Sequence, residues 1–174
     1  MVAALVLIGA PGSGKSSVLE ALATLHDNHD VEHGALEAEQ LSLGRPLLNA
    51  SSWVPQLDAV LSLQREAGRR RFLLSATVVS AEDLAAVRRA SAAEQLLVVC
   101  LAASPETVAA RIGVREPDHW PGKAPLIERA RRLALSTPGL PGVDLLIGTE
   151  HRDASDVADE IFQEMRSRGM LAPA

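Results

Sequence analysis

A chain of 174 residues that is 47% apolar and 22% charged suits one soluble globular domain with a proper core, here taken as residues 1–174. Aromatics supply only 2% of residues and the formal net charge is −5, so neither base stacking nor a broad phosphate-backbone interface fits, and no nucleic-acid partner is expected. The longest apolar run, Val2 to Ile8, falls far short of the ~20 residues that span a bilayer and carries no signal-peptide pattern, which leaves no membrane role and the cytoplasm as the default compartment.

In chain order, Val2 to Ile8 reads as a buried strand, followed by a Gly-rich turn and a helix from about Lys15 to His26. A weaker strand is expected around Val31 to Leu36, then a helical piece at Glu37 to Leu43. A better helix runs from Pro55 to Ala67, with Pro55 suited to a first turn and Gly68 to a stop. Arg71 to Ala76 is the third strand, and the run Arg69-Arg70-Arg71 at its start reads as a solvated edge rather than a phosphate site. Ser80 and Asp83 open a helix to about Ala92 in capping-box fashion. Leu96 to Ala102 is a strong buried strand, and its lone Cys100 reads as an inert buried thiol. Ser104-Pro105-Glu106 gives the preferred order of cap, proline and acidic first turn. Glu116 to Pro125 is a loop, leading to a helix that ends near Leu135. The last strand is Val143 to Ile147, and Asp153 caps a final helix striped by Val157, Ile161 and Met165. Five strands joined by crossover helices imply an α/β fold, a parallel sheet with helices on both faces.

The segment Gly9-Ala10-Pro11-Gly12-Ser13-Gly14-Lys15-Ser16-Ser17 satisfies G-x-x-x-x-G-K-[ST]. Its glycines let the backbone curl so that successive N–H groups face one phosphate, with a helix N-terminus behind them. Lys15 supplies a point charge for the β- and γ-phosphates of ATP, and the Ser16 hydroxyl is placed to ligate Mg²⁺. Such a match is expected by chance in at most about 1% of chains this long. The apolar strand before it and the apolar-striped helix after it lower that figure further. Of only two lysines in the chain, Lys15 and Lys123, one stands where the motif needs it.

This loop resembles that of the P-loop nucleoside, nucleotide and small-metabolite kinases, of which adenylate kinase, shikimate kinase and gluconate kinase are members. The resemblance implies a three-layer P-loop NTPase fold with a five-stranded parallel sheet of order 2-3-1-4-5. It also implies transfer of the ATP γ-phosphoryl group to a small-molecule acceptor. On the same likeness, residues 111–133 correspond to a lid that closes over ATP, with Arg111 and Arg115 as its leading arginines and Arg132 next. A solvated face paired with Glu106, Glu116 or Glu128 is the competing reading of those arginines.

In this family a carboxylate often follows the second strand, where it takes a proton from the acceptor hydroxyl. Glu37 and Glu39 are the candidates here, against an ordinary acidic helix start. The chain departs from the family at the third strand, which ends Ser75-Ala76-Thr77 with no acid to organise Mg²⁺. Ser75, Thr77 or a glutamate between 37 and 39 is left to serve. Arg152 lies where related kinases wrap the adenine and is placed to stack on it. Trp53 is expected to line the acceptor pocket and Trp120 to lie in the lid loop. The alternative to a kinase is a nucleotide-binding regulatory protein of the same fold with weak or no turnover. Oligomeric state and the acceptor's identity are not legible in the chain.

Overall fold

The computed structural model describes residues 1–171. Its five strands are β1 (Ala3–Ile8), β2 (Gly34–Glu37), β3 (Arg71–Ala76), β4 (Gln95–Ala102) and β5 (Leu145–Gly148). The helices are α1 (Lys15–Asn28), α2 (Ala50–Glu66), α3 (Ala81–Ser91), α4 (Pro105–Arg115), α5 (Lys123–Ser136) and α6 (Ala154–Ser167). The strands form one parallel sheet of order β2-β3-β1-β4-β5. This is the expected P-loop NTPase topology.

Strand periodicity explains the three layers. Alternate residues of β1 point to opposite faces, and both sets are apolar because both faces are covered. Ala3, Leu5 and Leu7 join Val18, Leu22, Ile161 and Phe162 under α1 and α6. Ala4, Val6 and Ile8 join Leu57, Leu61, Leu84 and Val87 under α2 and α3. A smaller cluster ties Ala10 of the Gly-rich loop to Val108 and Ile112 of α4 and Ala130 and Leu133 of α5. The phosphate loop thus rests directly on the helical pair.

Capping sets several helix starts as anticipated. The Ser80 hydroxyl accepts from Asp83 N and the Ser104 hydroxyl from Thr107 N. Asp153 occupies the cap position of α6 but makes no side-chain capping bond.

Other boundaries moved. Helix α2 begins at Ala50, five residues before Pro55, which lies inside it. The Asn49 carboxamide oxygen accepts from the hydroxyls of Ser51 and Ser52 (2.7 and 3.1 Å), and buried Trp53 anchors the added turn in the core. Helix α5 starts at Lys123, so Pro125 sits in a first turn where its missing N–H costs no helix bond. The expected helix at 37–43 is the end of β2 plus a 3₁₀ turn, Ala38–Leu41. Strands β2 and β5 are shifted a few residues toward the C-terminus relative to expectation. Arg71 is no solvated edge: it is buried, its Nε donates to Met170 O (2.9 Å), and its guanidinium pairs with Glu32 (3.5 Å). No helix among the described residues is long and apolar enough to cross a membrane.

Candidate nucleotide and acceptor site

Residues 9–14 connect β1 to α1 at the carboxyl ends of the strands, where open α/β sheets bind ligands. The loop's shape depends on glycine at defined places. Gly9 has φ +153°, and a Cβ there would lie 2.5 Å from Ser13 Oγ and 2.6 Å from Leu101 O. Gly12 has φ +81°, and a Cβ would meet Val108 O at 2.9 Å. Gly14 has φ +97° but faces open space, where a ligand can come close to the backbone. Helix α1 begins at Lys15, so the first-turn N–H groups have no intrahelical partner and the positive end of its dipole faces the opening.

Lys15 is buried at 7% exposure. Its Nζ donates to Gly9 O (3.0 Å) and Ala10 O (3.2 Å) and stands 3.6 Å from a Glu39 carboxylate oxygen. Burial lowers its pKa, opposed by the negative charge of Glu39. Glu39 also accepts from the Thr77 hydroxyl at 2.5 Å. The strand end that lacks an acid therefore receives one from the turn after β2. Glu37 is more lightly held, with the Gln40 amide 3.4 Å from its carboxylate. Ser16 and Ser17 are exposed at the start of α1, and the Ser75 hydroxyl is buried without a hydrogen-bond partner.

Across the loop from these acids, Arg111 of α4 is spent on the scaffold. Its guanidinium donates to Gly12 O (3.2 Å), Thr149 Oγ1 (3.1 Å) and Thr149 O (2.8 Å). Thr149 in turn donates to Ser13 O (3.0 Å). Arg111 and Thr149 thus clip the segment after β5 to the phosphate loop, and nothing in the sequence around Thr149 signals that role. Among the described residues Arg115 is paired only with its neighbour Glu116, its side chain 58% exposed. Between the two helices Lys123 closes the loop: its Nζ donates to Gly113 O, Glu116 O and Asp118 Oδ1 at 2.6, 2.8 and 2.6 Å.

One cavity of about 1530 Å³ collects most of the predicted residues. Pro11, Gly12, Gly14, Lys15, Ser16, Ser17, Glu37, Glu39, Arg111, Arg115, Trp53 and Trp120 all line it. Gly9, Ala10 and Ser13 lie behind the lining and shape it, Ala10 and Ser13 being buried. Arg152 is elsewhere, paired with Glu160 of α6 at 2.8 Å. Arg132 is also away from the cavity, 3.9 Å from Glu128, whereas Arg129 reaches the wall. Ser42, Leu43, residues 47–51 and the face of α3 carrying Glu82, Ala86 and Arg89 complete the enclosure. Sequence periodicity marks α3 as a helix but not which exposed face overlooks a cavity.

The model of the family described as "AAA domain" matches residues 5–134. No curated protein matches the chain in sequence. Solved structures do match in fold. A gluconokinase from Sinorhizobium meliloti 1021 is 20% identical with a TM-score of 0.67, covering 98% of each chain. Shikimate kinase from Acinetobacter baumannii, in complex with shikimate, is 18% identical with a TM-score of 0.62, covering 97% of this chain and 95% of its own. An APS kinase from Mycobacterium tuberculosis, in complex with AMPPNP and APS, is 17% identical with a TM-score of 0.63, covering 95% of this chain and 98% of its own. All three share the P-loop kinase fold with this chain.

Proposed function

The chain belongs to the AAA domain family, and from that premise we propose that it is an ATP-dependent kinase acting on a small-molecule hydroxyl. The observation that carries the reading is the convergence on one cavity of Lys15, Ser16, Glu37, Glu39 and Arg115 above the glycine loop.

In this reading the loop amides and the N-terminus of α1 hold the triphosphate. The glycine cradle fits that group: a side chain at Gly14 would project into the space it needs. Lys15 reorients from Gly9 O and Ala10 O toward the phosphates. Among the described residues no group of three or more His, Cys, Asp or Glu forms a metal cage, so Mg²⁺ would be held by Ser16 together with phosphate oxygens. When bound, Mg²⁺ neutralises charge on the transferring group. Glu39, fixed between Thr77 and Lys15, is a positioning residue beside the Ser16 site. Glu37 takes the acceptor's proton as its oxygen attacks the γ-phosphorus and ADP leaves. Arg115 swings from Glu116 to cover the developing charge, with residues 111–133 acting as the lid.

A second reading, a nucleotide-binding regulator with little turnover, is favoured by one feature. The lysine ammonium is held by two carbonyls and a carboxylate. ADP release that depends on one acceptor and is lost in Lys15→Ala supports the kinase. ATP binding with no turnover on any acceptor supports the regulator.

A further inference from the structure

We infer that the acceptor is a hydroxyl compound with an apolar body and no anionic group, an inference that rests on the kinase reading of the same cavity. Two independent features of the wall carry it. The first is charge. The half of the cavity beside the phosphate loop and helices α4 and α5 holds four cations, Lys15, Arg111, Arg115 and Arg129, against one carboxylate, Glu116, which is paired with Arg115; the cations are all adjacent to where the triphosphate's own charge would lie. The other half, over the ends of β2 and β3, presents four carboxylates, Glu37, Glu39, Glu82 and Asp83, against one guanidinium, Arg89; Glu39 is shared with Lys15, and Asp83 accepts from Val79 N. Glu82 and Asp83 in the first turn of α3 and Arg89 in its last turn each complement the helix dipole without any ligand, which leaves Glu37 and Glu39 to set the sign of this half. An acceptor carrying a carboxylate, sulfate or phosphate would enter a field of its own sign.

The second feature is apolar exposure. Large apolar side chains left in solvent are normally scattered. Here Leu43, Leu47, Val79 and Trp120 are 65%, 64%, 53% and 42% exposed, and all four line this cavity. They come from three separate segments, so no single helix face or loop accounts for their meeting. An apolar acceptor body gives them the burial the fold does not.

The test is a matched series sharing one phenyl body: 3-phenyl-1,2-propanediol, phenylalaninol and 3-phenyllactate, with gluconate and shikimate as anionic polyols. ADP release with magnesium and ATP is measured, with calorimetric binding to the protein's AMP-PNP complex alongside. The expected result is kcat/KM at least tenfold higher for the diol or the amine than for phenyllactate. Val79→Asp and Leu47→Asp, both at exposed positions, should raise that acceptor's KM at least tenfold and leave the KM for ATP unchanged. Turnover of phenyllactate, gluconate or shikimate at equal or greater efficiency overturns the inference and leaves the kinase reading standing. Diol or amine binding to the AMP-PNP complex more tightly than phenyllactate, without ADP release from any of them, overturns the kinase reading and supports only the apolar, non-anionic class of compound that the cavity takes. Binding of none of the three phenyl compounds overturns the inference, as does an unchanged acceptor KM in both Asp variants.

Discussion

Glu37 and Glu39 are two residues apart and line the same cavity, yet their surroundings assign them different work. Replacing each by Gln separates the two roles. Glu39 stands 3.6 Å from the Lys15 ammonium, a separation worth about 4–5 kcal/mol at an effective dielectric constant of about 20. Its side chain is 35% exposed, and solvent screening reduces that to about 1–2 kcal/mol. Glu39→Gln should therefore lower Tm by about 2–8 °C for a domain of this size. Glu37 has only a long contact to Gln40 to lose, at 3.4 Å, so Glu37→Gln should change stability by less than about 0.5 kcal/mol. If Glu37 receives the acceptor proton, the same substitution lowers kcat about 10²–10⁴-fold. Thermal melts and a coupled ADP-release assay on both variants read the two effects separately. A Glu37→Gln protein that keeps its kcat within about threefold of the parent refutes the assignment.

The arginines should divide in the same way. Arg111→Ala removes three charge-assisted bonds to Gly12 and Thr149 and should cost about 1–3 kcal/mol in urea unfolding. Arg115→Ala should leave stability unchanged and lower kcat about 10²–10³-fold; equal kcat in parent and variant would remove Arg115 from the site. In the loop, Gly9→Ala places a methyl 2.6 Å from Leu101 O and should cost more than about 2 kcal/mol. Gly14→Ala meets nothing within 4 Å, so its stability cost should stay near the 1–2 kcal/mol of left-handed strain, with nucleotide affinity bearing the larger loss. His26 gives a pH signature. Its Nδ1 donates to Leu22 O at 2.8 Å, its Nε2 is buried without a partner, and burial lowers its pKa to about 4. The unfolded chain takes up that proton near pH 6.5 and the native state only near pH 4. The stabilisation is thus complete above pH 6.5 and falls by about 3 kcal/mol as pH drops to 4. Urea midpoints of His26→Leu should lose that part of the pH slope, and an identical slope would contradict the argument.

Much of this was legible because a parallel sheet buried on both faces leaves uninterrupted apolar strands. The runs at Val2–Ile8, Arg71–Ala76 and Leu96–Ala102 therefore announced the central strands within a residue. The phosphate loop was legible for a different reason: glycine alone takes the conformations at positions 9, 12 and 14 without strain, so the chemistry is written in residue identity. The acceptor half was harder. Pro55 looked like a helix start because its restriction is local, whereas Asn49 and the buried Trp53 extend α2 past it through contacts that no short window contains. The link from Glu39 to Thr77 spans 38 positions and the clip from Arg111 to Thr149 another 38. Both depend on strand order, and neither leaves a periodic trace in the chain.

The most direct test of the phosphate-loop account is isothermal calorimetry of the parent and Lys15→Ala proteins with ATP in the presence of magnesium. Saturable one-to-one binding to the parent is the expected result. Loss of one charged phosphate contact, about 1.5–3 kcal/mol, should weaken it roughly 10–150-fold in Lys15→Ala. A parent protein that gives no heat of binding with any nucleoside triphosphate would contradict it.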